Sequence, residues 1–110
     1  EYNYQKKLLE HKDLKRDLLN TYLESWNNYD FYLNKINNQE KIIDSLELKL
    51  HGNEILYKAQ KIDITQLIES KNELNDAHNI LLDLNSSKKY YLIDILILNG
   101  DLNTIINGLG

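Results

Sequence analysis

Apolar residues recur at every seventh position along two stretches of this chain. A repeat of seven places one apolar seam along an α-helix and favours a left-handed, coiled-coil-like contact between two helices. The first stretch carries the row Tyr22, Tyr29, Ile36, Ile43, Leu50 and Tyr57, with Leu18, Trp26, Leu33 and Leu46 at the alternate positions. The second carries the row Leu67, Leu74, Leu81, Lys88 and Ile95, accompanied by Ser70, Ala77, Leu84, Tyr91 and Leu98. These rows predict two long helices that pack together.

The two rows do not share one phase, which indicates a break in the helix between them. Continuing the first row by seven from Tyr57 gives Ile64, whereas the second row requires Leu67. Asp63 can act as an N-cap, because its carboxylate can accept a hydrogen bond from a backbone N–H two or three positions later. Gln66 stands at the third helical position, where its side chain can reach back as in a capping box. A new helix is therefore predicted to start directly after Asp63.

The scarcity of helix breakers limits where the first helix can end. The chain has no proline and four glycines, and these two residue types interrupt helices most strongly. The segment "HGNE" at 51–54 is a rival turn, but the seven-residue repeat continues beyond it. We expect the helix to run through this segment, since a glycine inside a helix costs only about 1 kcal/mol relative to alanine. The predicted segments are helix one at about 2–58, the tip at about 59–63, helix two at about 64–99 and a C-terminal tail at 100–110.

The predicted fold class is all-α: a single helical-hairpin segment whose two long helices run antiparallel in a coiled-coil-like contact. A pair of helices cannot bury broad apolar faces on both of its members. Apolar residues outside the seam therefore need other neighbours, and we expect this hairpin to be one stave of a larger helical barrel. These residues are Phe31, Tyr32, Ile42, Leu48, Ile80, Leu82, Ile93 and Leu96.

Composition and charge argue against several classes of function. The net charge is −4, from 13 basic and 17 acidic side chains, and the charges are interspersed rather than gathered into the basic face that is typical of nucleic-acid binding. The chain has no cysteine, and His11, His51 and His78 lie far apart on a hairpin, so we expect no metal site and no cofactor. No residue set suggests a nucleophile with its base, which argues against an enzyme. No apolar run reaches the ~20 residues that a membrane-spanning helix needs.

Residues 57–102 resemble the C-terminal periplasmic hairpin of the TolC-like outer-membrane efflux proteins. That family has a tyrosine before the tip, a hydrophobic pair followed by an acidic residue, a long helix rich in Leu and Ala, and a closing Gly-x-Leu. The matching elements occur here without a gap. They are Tyr57, Ile64, Leu67, Ile68, Glu69, Leu74, Ala77, Leu81, Leu92 and the triplet "GDL" at 100–102. Residues 5–56 resemble the family in helical character only.

This resemblance implies that the chain is a component of an outer-membrane export or efflux channel. Members of the family are trimers, in which helical hairpins form a periplasmic tunnel and separate strands form a barrel in the outer membrane. The chain would then form part of the tunnel and its entrance, in the periplasm of a bacterial cell. Its implied partners are the other hairpins of the same homotrimer, a periplasmic adaptor and an inner-membrane pump. Contact with the membrane would be made only through barrel strands that this stretch does not contain.

The resemblance also assigns roles to residues around the tip. Acidic side chains just after the tip can ring the entrance in the family, and the matching positions here are Gln66 and Glu69, with Asp63 nearby. These three residues would form the pore constriction. The gate and tip contacts would be made by Tyr57, Lys58, Ala59, Gln60, Lys61 and Ile62. Gln60 stands where the family has glycine, so a positive φ at this position would strain the glutamine.

A second hypothesis belongs to a different class: a standalone coiled-coil interaction module, cytoplasmic and dimeric, with no role in transport. In such a module the start of helix one, which extends past the end of helix two, would act as a docking arm. The sequence does not begin with methionine, and we expect it to be a piece of a longer protein. The complete reading frame separates the two hypotheses, because a signal peptide and a second hairpin-plus-strand repeat are expected only of the channel.

Overall fold

The computed structural model describes residues 2–109 and the side chains of residues 3–107. Two α-helices account for nearly all of this stretch: α1 spans Tyr2–Lys58 and α2 spans Ile64–Leu109. The described part of the chain contains no strand. The predicted all-α helical hairpin is therefore confirmed, and α1 continues through the rival turn at 51–54.

The chain divides into two compact units. The tip unit comprises Tyr32–Ser87 and contains the turn between the helices. The terminal unit comprises Glu1–Phe31 and Lys88–Gly110, so it too contains one part of each helix. Each unit therefore consists of two helical segments that meet along a seam.

The seam of each unit follows a heptad repeat, written abcdefg, in which positions a and d face the other helix. Position a falls on Tyr22 in α1 and on Leu67 in α2, and then on every seventh residue. In the tip unit the buried residues are Ile36, Gln39, Ile43, Leu67, Ser70 and Ala77. In the terminal unit they are Ser25, Ile95, Leu98 and Leu102. Because all of these residues occupy positions a or d, the seam is the core of each unit.

One row of the α1 seam differs from the row that the sequence predicts. Trp26 and Leu33 are expected in the seam, but both occupy position e, where Trp26 is 39% exposed and Leu33 is half-buried. Position d is occupied instead by Ser25 and Tyr32, which precede Trp26 and Leu33 by one residue. This row consists of Leu18, Ser25, Tyr32, Gln39, Leu46 and Asn53. The predicted seam is therefore wrong in including Trp26 and Leu33, and the prediction that Tyr32 lies outside the seam is wrong too, because Tyr32 is half-buried at position d.

Polar residues can occupy this row because they form hydrogen bonds across the seam. Ser25 Oγ donates to Asp94 Oδ2 over 2.8 Å within the terminal unit. Gln39 Nε2 donates to the backbone oxygen of Ala77 over 2.9 Å within the tip unit. A buried polar group costs little when its hydrogen bonds are made, and costs about 1–3 kcal/mol when they are not. The cross-seam partners thus stabilise a register that the apolar pattern of α1 alone does not indicate.

α1 ends in a Schellman motif. The N–H of Lys61 donates to the backbone oxygen of Leu56 over 2.8 Å, and the N–H of Gln60 donates to that of Tyr57 over 2.9 Å. These bonds satisfy carbonyl groups that the end of a helix otherwise leaves without a partner. The motif needs one residue in the left-handed region, and Gln60 supplies it with a φ of 58°. The turn therefore places glutamine in a conformation for which glycine is the usual residue.

Substituting Gln60→Gly is expected to raise the free energy of unfolding by about 0.5–1 kcal/mol. The left-handed conformation costs an L-residue about 1–2 kcal/mol, and part of the gain is lost because glycine is freer in the unfolded chain. Thermal unfolding followed by circular dichroism measures the effect. Lys58→Gly, in the last turn of α1, is the matched control and should lower stability by a similar amount. A loss of stability in both variants would contradict strain at Gln60.

α2 begins at an N-cap formed by Asp63. The N–H of Gln66 donates to Asp63 Oδ1 over 3.2 Å, which satisfies one of the free donors in the first turn of the helix. The donor is therefore the backbone N–H three positions after the cap, and not the one two positions after it. At the preceding helix end, Lys58 lies in the last turn of α1, where a positive charge interacts favourably with the helix dipole.

α2 continues to Leu109 rather than ending at about residue 99. The predicted tail at 100–110 is therefore wrong for residues 100–109, and residue 110 lies outside the described residues. Gly100 does not end the helix, because the heptad repeat continues with Leu102 buried and Ile105 half-buried at positions a and d. Burying one such side chain contributes about 1.5–3 kcal/mol, which exceeds the cost of about 1 kcal/mol for an internal glycine.

Gly52 lies inside α1 with open space around it. A Cβ atom at this position would meet nothing within 4 Å. We therefore expect Gly52→Ala to raise the free energy of unfolding by about 0.5–1 kcal/mol, through helix propensity and a less flexible unfolded chain. Urea unfolding measures the change. Gly100→Ala is the equivalent substitution in α2, where a Cβ also meets nothing. A fall in stability for Gly52→Ala would contradict a continuous α1 at this point.

Candidate functional site at the hairpin tip

The residues expected to form the gate and tip contacts all lie at the reversal of the chain. They comprise the last two residues of α1 and the four residues that follow. All are exposed except one, which is half-buried. The exposed ones are Tyr57, Lys58, Ala59, Gln60 and Lys61, and the half-buried one is Ile62. Since Tyr57 is exposed although it occupies position a, the buried seam ends before the tip, and the side chains of the turn are free to contact a partner.

A polar groove lies beside the seam close to the tip. It is lined by Lys49, Asn53, Gln66, Glu69, Ser70 and Glu73. Two of the three residues expected at the pore constriction, Gln66 and Glu69, are thus brought together in this groove. The third, Asp63, does not line the groove, because its carboxylate caps α2.

The base of the groove is held by hydrogen bonds between its own residues. Asn53 Nδ2 donates to Ser70 Oγ across the seam, and Ser70 Oγ donates to the backbone oxygen of Gln66 over 3.1 Å. Lys49 Nζ and Glu73 Oε2 form an ion pair over 3.1 Å between the two helices, and both side chains are about half-exposed. Such a pair contributes at most about 1 kcal/mol. The side chains of Asn53, Ser70, Lys49 and Glu73 therefore hold one another in place across the groove and are not left without polar partners.

The ion pair between Lys49 and Glu73 also shows which sides of the two helices adjoin. Both residues occupy position g. Reversing one helix of a pair brings like-lettered flanks together, so g faces g on one side of the seam and e faces e on the other. Position c adjoins g on the helix surface, and position b adjoins e. Each unit thus has a g/c side, consisting of positions g and c of both helices, and an e/b side, consisting of positions e and b.

The acidic residues of α2 are confined to its g and c positions. No basic residue of α2 occupies either position. In the tip unit the acidic residues are Glu69, Glu73, Asp76 and Asp83. In the terminal unit they are Asp94 and Asp101. Because all of them are exposed or half-buried, α2 presents negative charge to solvent on the g/c side of each unit.

Only one member of this acidic face, Glu69, is expected from the sequence as a functional residue. The others could have been found from their spacing, since Glu69, Glu73 and Asp76 follow one another at intervals of four and three. Such spacing places side chains on one face of a helix. The signal becomes clear only when the heptad positions are known, because the phase of α2 is needed to identify the face.

The carboxylate of Glu69 contributes negative charge to the groove. Glu69 has no hydrogen-bond or ion-pair partner in the described part of the chain, so its carboxylate faces solvent. Among residues 2–109, no three or more His, Cys, Asp or Glu side chains gather as they would around a metal ion. None of the helical stretches described here has the length and hydropathy required to cross a membrane.

Comparison with known proteins found no match to this chain among family models, curated proteins or solved structures.

Proposed function

We propose that this chain forms part of the wall and entrance of a tunnel in an outer-membrane export channel. The observation that carries the proposal is the acidic g/c side of α2. The tunnel wall consists of helices that face water on one side and other helices on the remaining sides. In this arrangement the g/c side faces the lumen, where its carboxylates stay hydrated.

The exposed apolar side chains support a place among other helices. The off-seam residues that need neighbours and lie away from the g/c side are Leu48, Leu82, Ile93 and Leu96, each of which is more than half-exposed. A free two-helix unit leaves such side chains in water, whereas packing against neighbouring hairpins covers them. The resemblance of residues 57–102 to TolC-like hairpins supports the channel over other helical assemblies. Both features fit one stave of a trimeric helical barrel in the periplasm.

The mechanism we propose is passive. Glu69 from each of three copies forms an acidic ring at the tunnel entrance, which favours the passage of cations by electrostatic attraction. Gln66 and Asp63 lie beside this ring, and Asp63 also fixes the start of α2. Residues 57–63 face the periplasmic adaptor and the pump, and displacement of the tip against its neighbours widens the entrance. No cofactor takes part.

The charge of Glu69 provides the test. In the full-length trimer reconstituted in a planar lipid bilayer, Glu69→Gln is expected to lower the preference for cations over anions severalfold, because three carboxylates leave the constriction together. The measurement is the reversal potential in a salt gradient. Glu47→Gln is the matched control, since this exposed carboxylate occupies position e of α1, on the e/b side. An unchanged cation preference in Glu69→Gln would contradict the acidic ring.

A standalone interaction module is the second candidate function. It is favoured by the large exposed side chains, which would also serve a coiled-coil protein that docks on partners. The full-length reading frame and fractionation of cells separate the two proposals. A signal peptide and recovery with outer membranes support the channel, whereas a soluble cytoplasmic product supports the module.

A further inference from the structure

Five large apolar side chains lie together on the e/b side of the terminal unit. Each occupies position e or b of its helix and is more than a third exposed. We name this surface the apolar patch. Its members are Leu19, Leu23 and Trp26 on α1, and Leu92 and Leu96 on α2. Two helices thus contribute to one surface, which adjoins the buried seam between them.

The level of the patch along the two helices follows from a contact across the seam. Ser25 Oγ donates to Asp94 Oδ2 over 2.8 Å, so residues near 25 on α1 lie beside residues near 94 on α2. Leu23 and Trp26 therefore lie level with Leu92 and Leu96. The patch is compact, and no charged residue occupies an e or b position within residues 19–26 or 92–96.

The opposite side of the terminal unit differs in character at the same level. Its g and c positions carry two acidic residues, Glu24 on α1 and Asp94 on α2, and one large exposed apolar residue, Ile97. Exposed apolar residues scattered singly are ordinary on protein surfaces, but a contiguous patch beside a charged side marks an interaction surface. The e/b side of the terminal unit is therefore the side on which a partner would dock.

We propose that the partner is a second copy of this chain, bound face to face through the apolar patch. A two-fold axis parallel to the helices places the α1 part of the patch on the α2 part of the partner. Such an interface uses the same patch twice, which is the usual arrangement in a two-fold dimer. It joins four helices in which every neighbouring pair is antiparallel, so the packing continues the contact already present in each unit.

Charge at the edge of the patch favours this occupant. Asp30 on α1 and Lys89 on α2 both occupy position b and are exposed. They stand at the same level, beyond the end of the patch that is nearer to the tip. The two-fold axis brings Asp30 of one copy next to Lys89 of its partner, and the reverse. Within one described chain these two side chains form no ion pair with each other.

Sedimentation and fluorescence on the 110-residue chain test the dimer. Trp26 is the only tryptophan, so its emission reports on the patch directly. We expect a monomer–dimer equilibrium in sedimentation velocity and a blue shift of the emission as the concentration rises. Leu96→Lys should weaken the dimer at least about a hundredfold, because burial of a leucine is lost in both copies and two charges enter the interface.

A charge exchange gives the second, more specific test. Asp30→Lys or Lys89→Asp alone should weaken the dimer about two- to tenfold, because like charges then meet at both edges of the interface. The double variant, which exchanges the two charges, should restore the original affinity. Rescue of this kind requires the two residues to face each other across copies.

Leu48→Lys is the matched control, since Leu48 is 75% exposed but belongs to the tip unit. The dissociation constant of the dimer should be unchanged in this variant. Circular dichroism checks that every variant remains helical. A chain that stays monomeric at all concentrations would overturn the proposal. So would a dimer that survives Leu96→Lys, or a double charge variant that is not rescued. The inference does not rest on the channel proposal, because ion conductance and dimer formation can each fail alone.

Discussion

Substituting Ala77→Leu is expected to lower the free energy of unfolding by about 2–6 kcal/mol. Ala77 is only 4% exposed, and its backbone oxygen accepts the hydrogen bond from Gln39 over 2.9 Å. Extra methyl groups in a packed core cost about 1–3 kcal/mol. They also push α1 away from α2, which leaves the buried amide of Gln39 without a partner at a further cost of about 1–3 kcal/mol. Urea unfolding followed by circular dichroism measures the loss.

Two further variants separate the causes of this loss. His78→Leu adds a similar apolar side chain at the next, exposed position and should change stability by less than about 0.5 kcal/mol. Gln39→Leu removes the amide and should be nearly neutral, because the backbone oxygen of Ala77 lies inside a helix, where it also accepts an intrahelical bond. Ala77→Leu should therefore cost less in the Gln39→Leu background. Equal costs in both backgrounds would contradict the role assigned to the hydrogen bond.

The helices and the place of the turn follow from the sequence because the physical signals there are local. Asp63 and Gln66 have the spacing of a capping pair, and the phase of the heptads changes across them. The backbone conformation of Gln60 is harder to predict from the sequence. Glutamine has no preference for the left-handed region, and only the family resemblance suggested that position. Its φ of 58° follows from the need to satisfy the carbonyls at the end of α1.

The identity of the seam residues could not be predicted from α1 alone. Apolar side chains occupy both position d, as in Leu46, and position e, as in Trp26, so two rows fit the pattern about equally well. The choice depends on α2, which offers partners to Ser25 and Gln39 when they occupy the row. Hydrogen bonds of this kind depend on both helices at once, and a repeat counted along one helix cannot reveal them.

The candidate site shows the same division between local and non-local information. The exposed position of Glu69 near the tip follows from its place in the sequence. The residues that surround Glu69 cannot be predicted in this way, because the groove combines α2 residues with Lys49 and Asn53 of α1. The burial of Leu102, which carries α2 past Gly100, is also decided by contact with α1. A glycine in the sequence therefore predicts the end of a helix only where a longer helix would bury no further apolar side chain.

Substituting Ile95→Ala is expected to lower the stability of the terminal unit by about 2–5 kcal/mol. Ile95 is 3% exposed at position a of α2, so truncation removes buried methyl groups and leaves a cavity in the seam. Among the described side chains of the terminal unit, the other buried apolar residues that could compensate are Leu98 and Leu102. Trp26 belongs to the same unit and is the only tryptophan. Its fluorescence during urea unfolding therefore reports the loss where it occurs.

Ile93→Ala is the matched control for this cavity. It makes the same chemical change two residues earlier, at an exposed position where Ile93 keeps 57% of its surface in water. Alanine is the better helix former, which offsets the small loss of contact, so stability should change by less than about 1 kcal/mol. A large difference between the two variants means that α2 packs on α1 at position a in the terminal unit. Equal losses would mean that α2 has a different face toward α1, and the heptad assignment on which the g/c and e/b sides depend would be wrong.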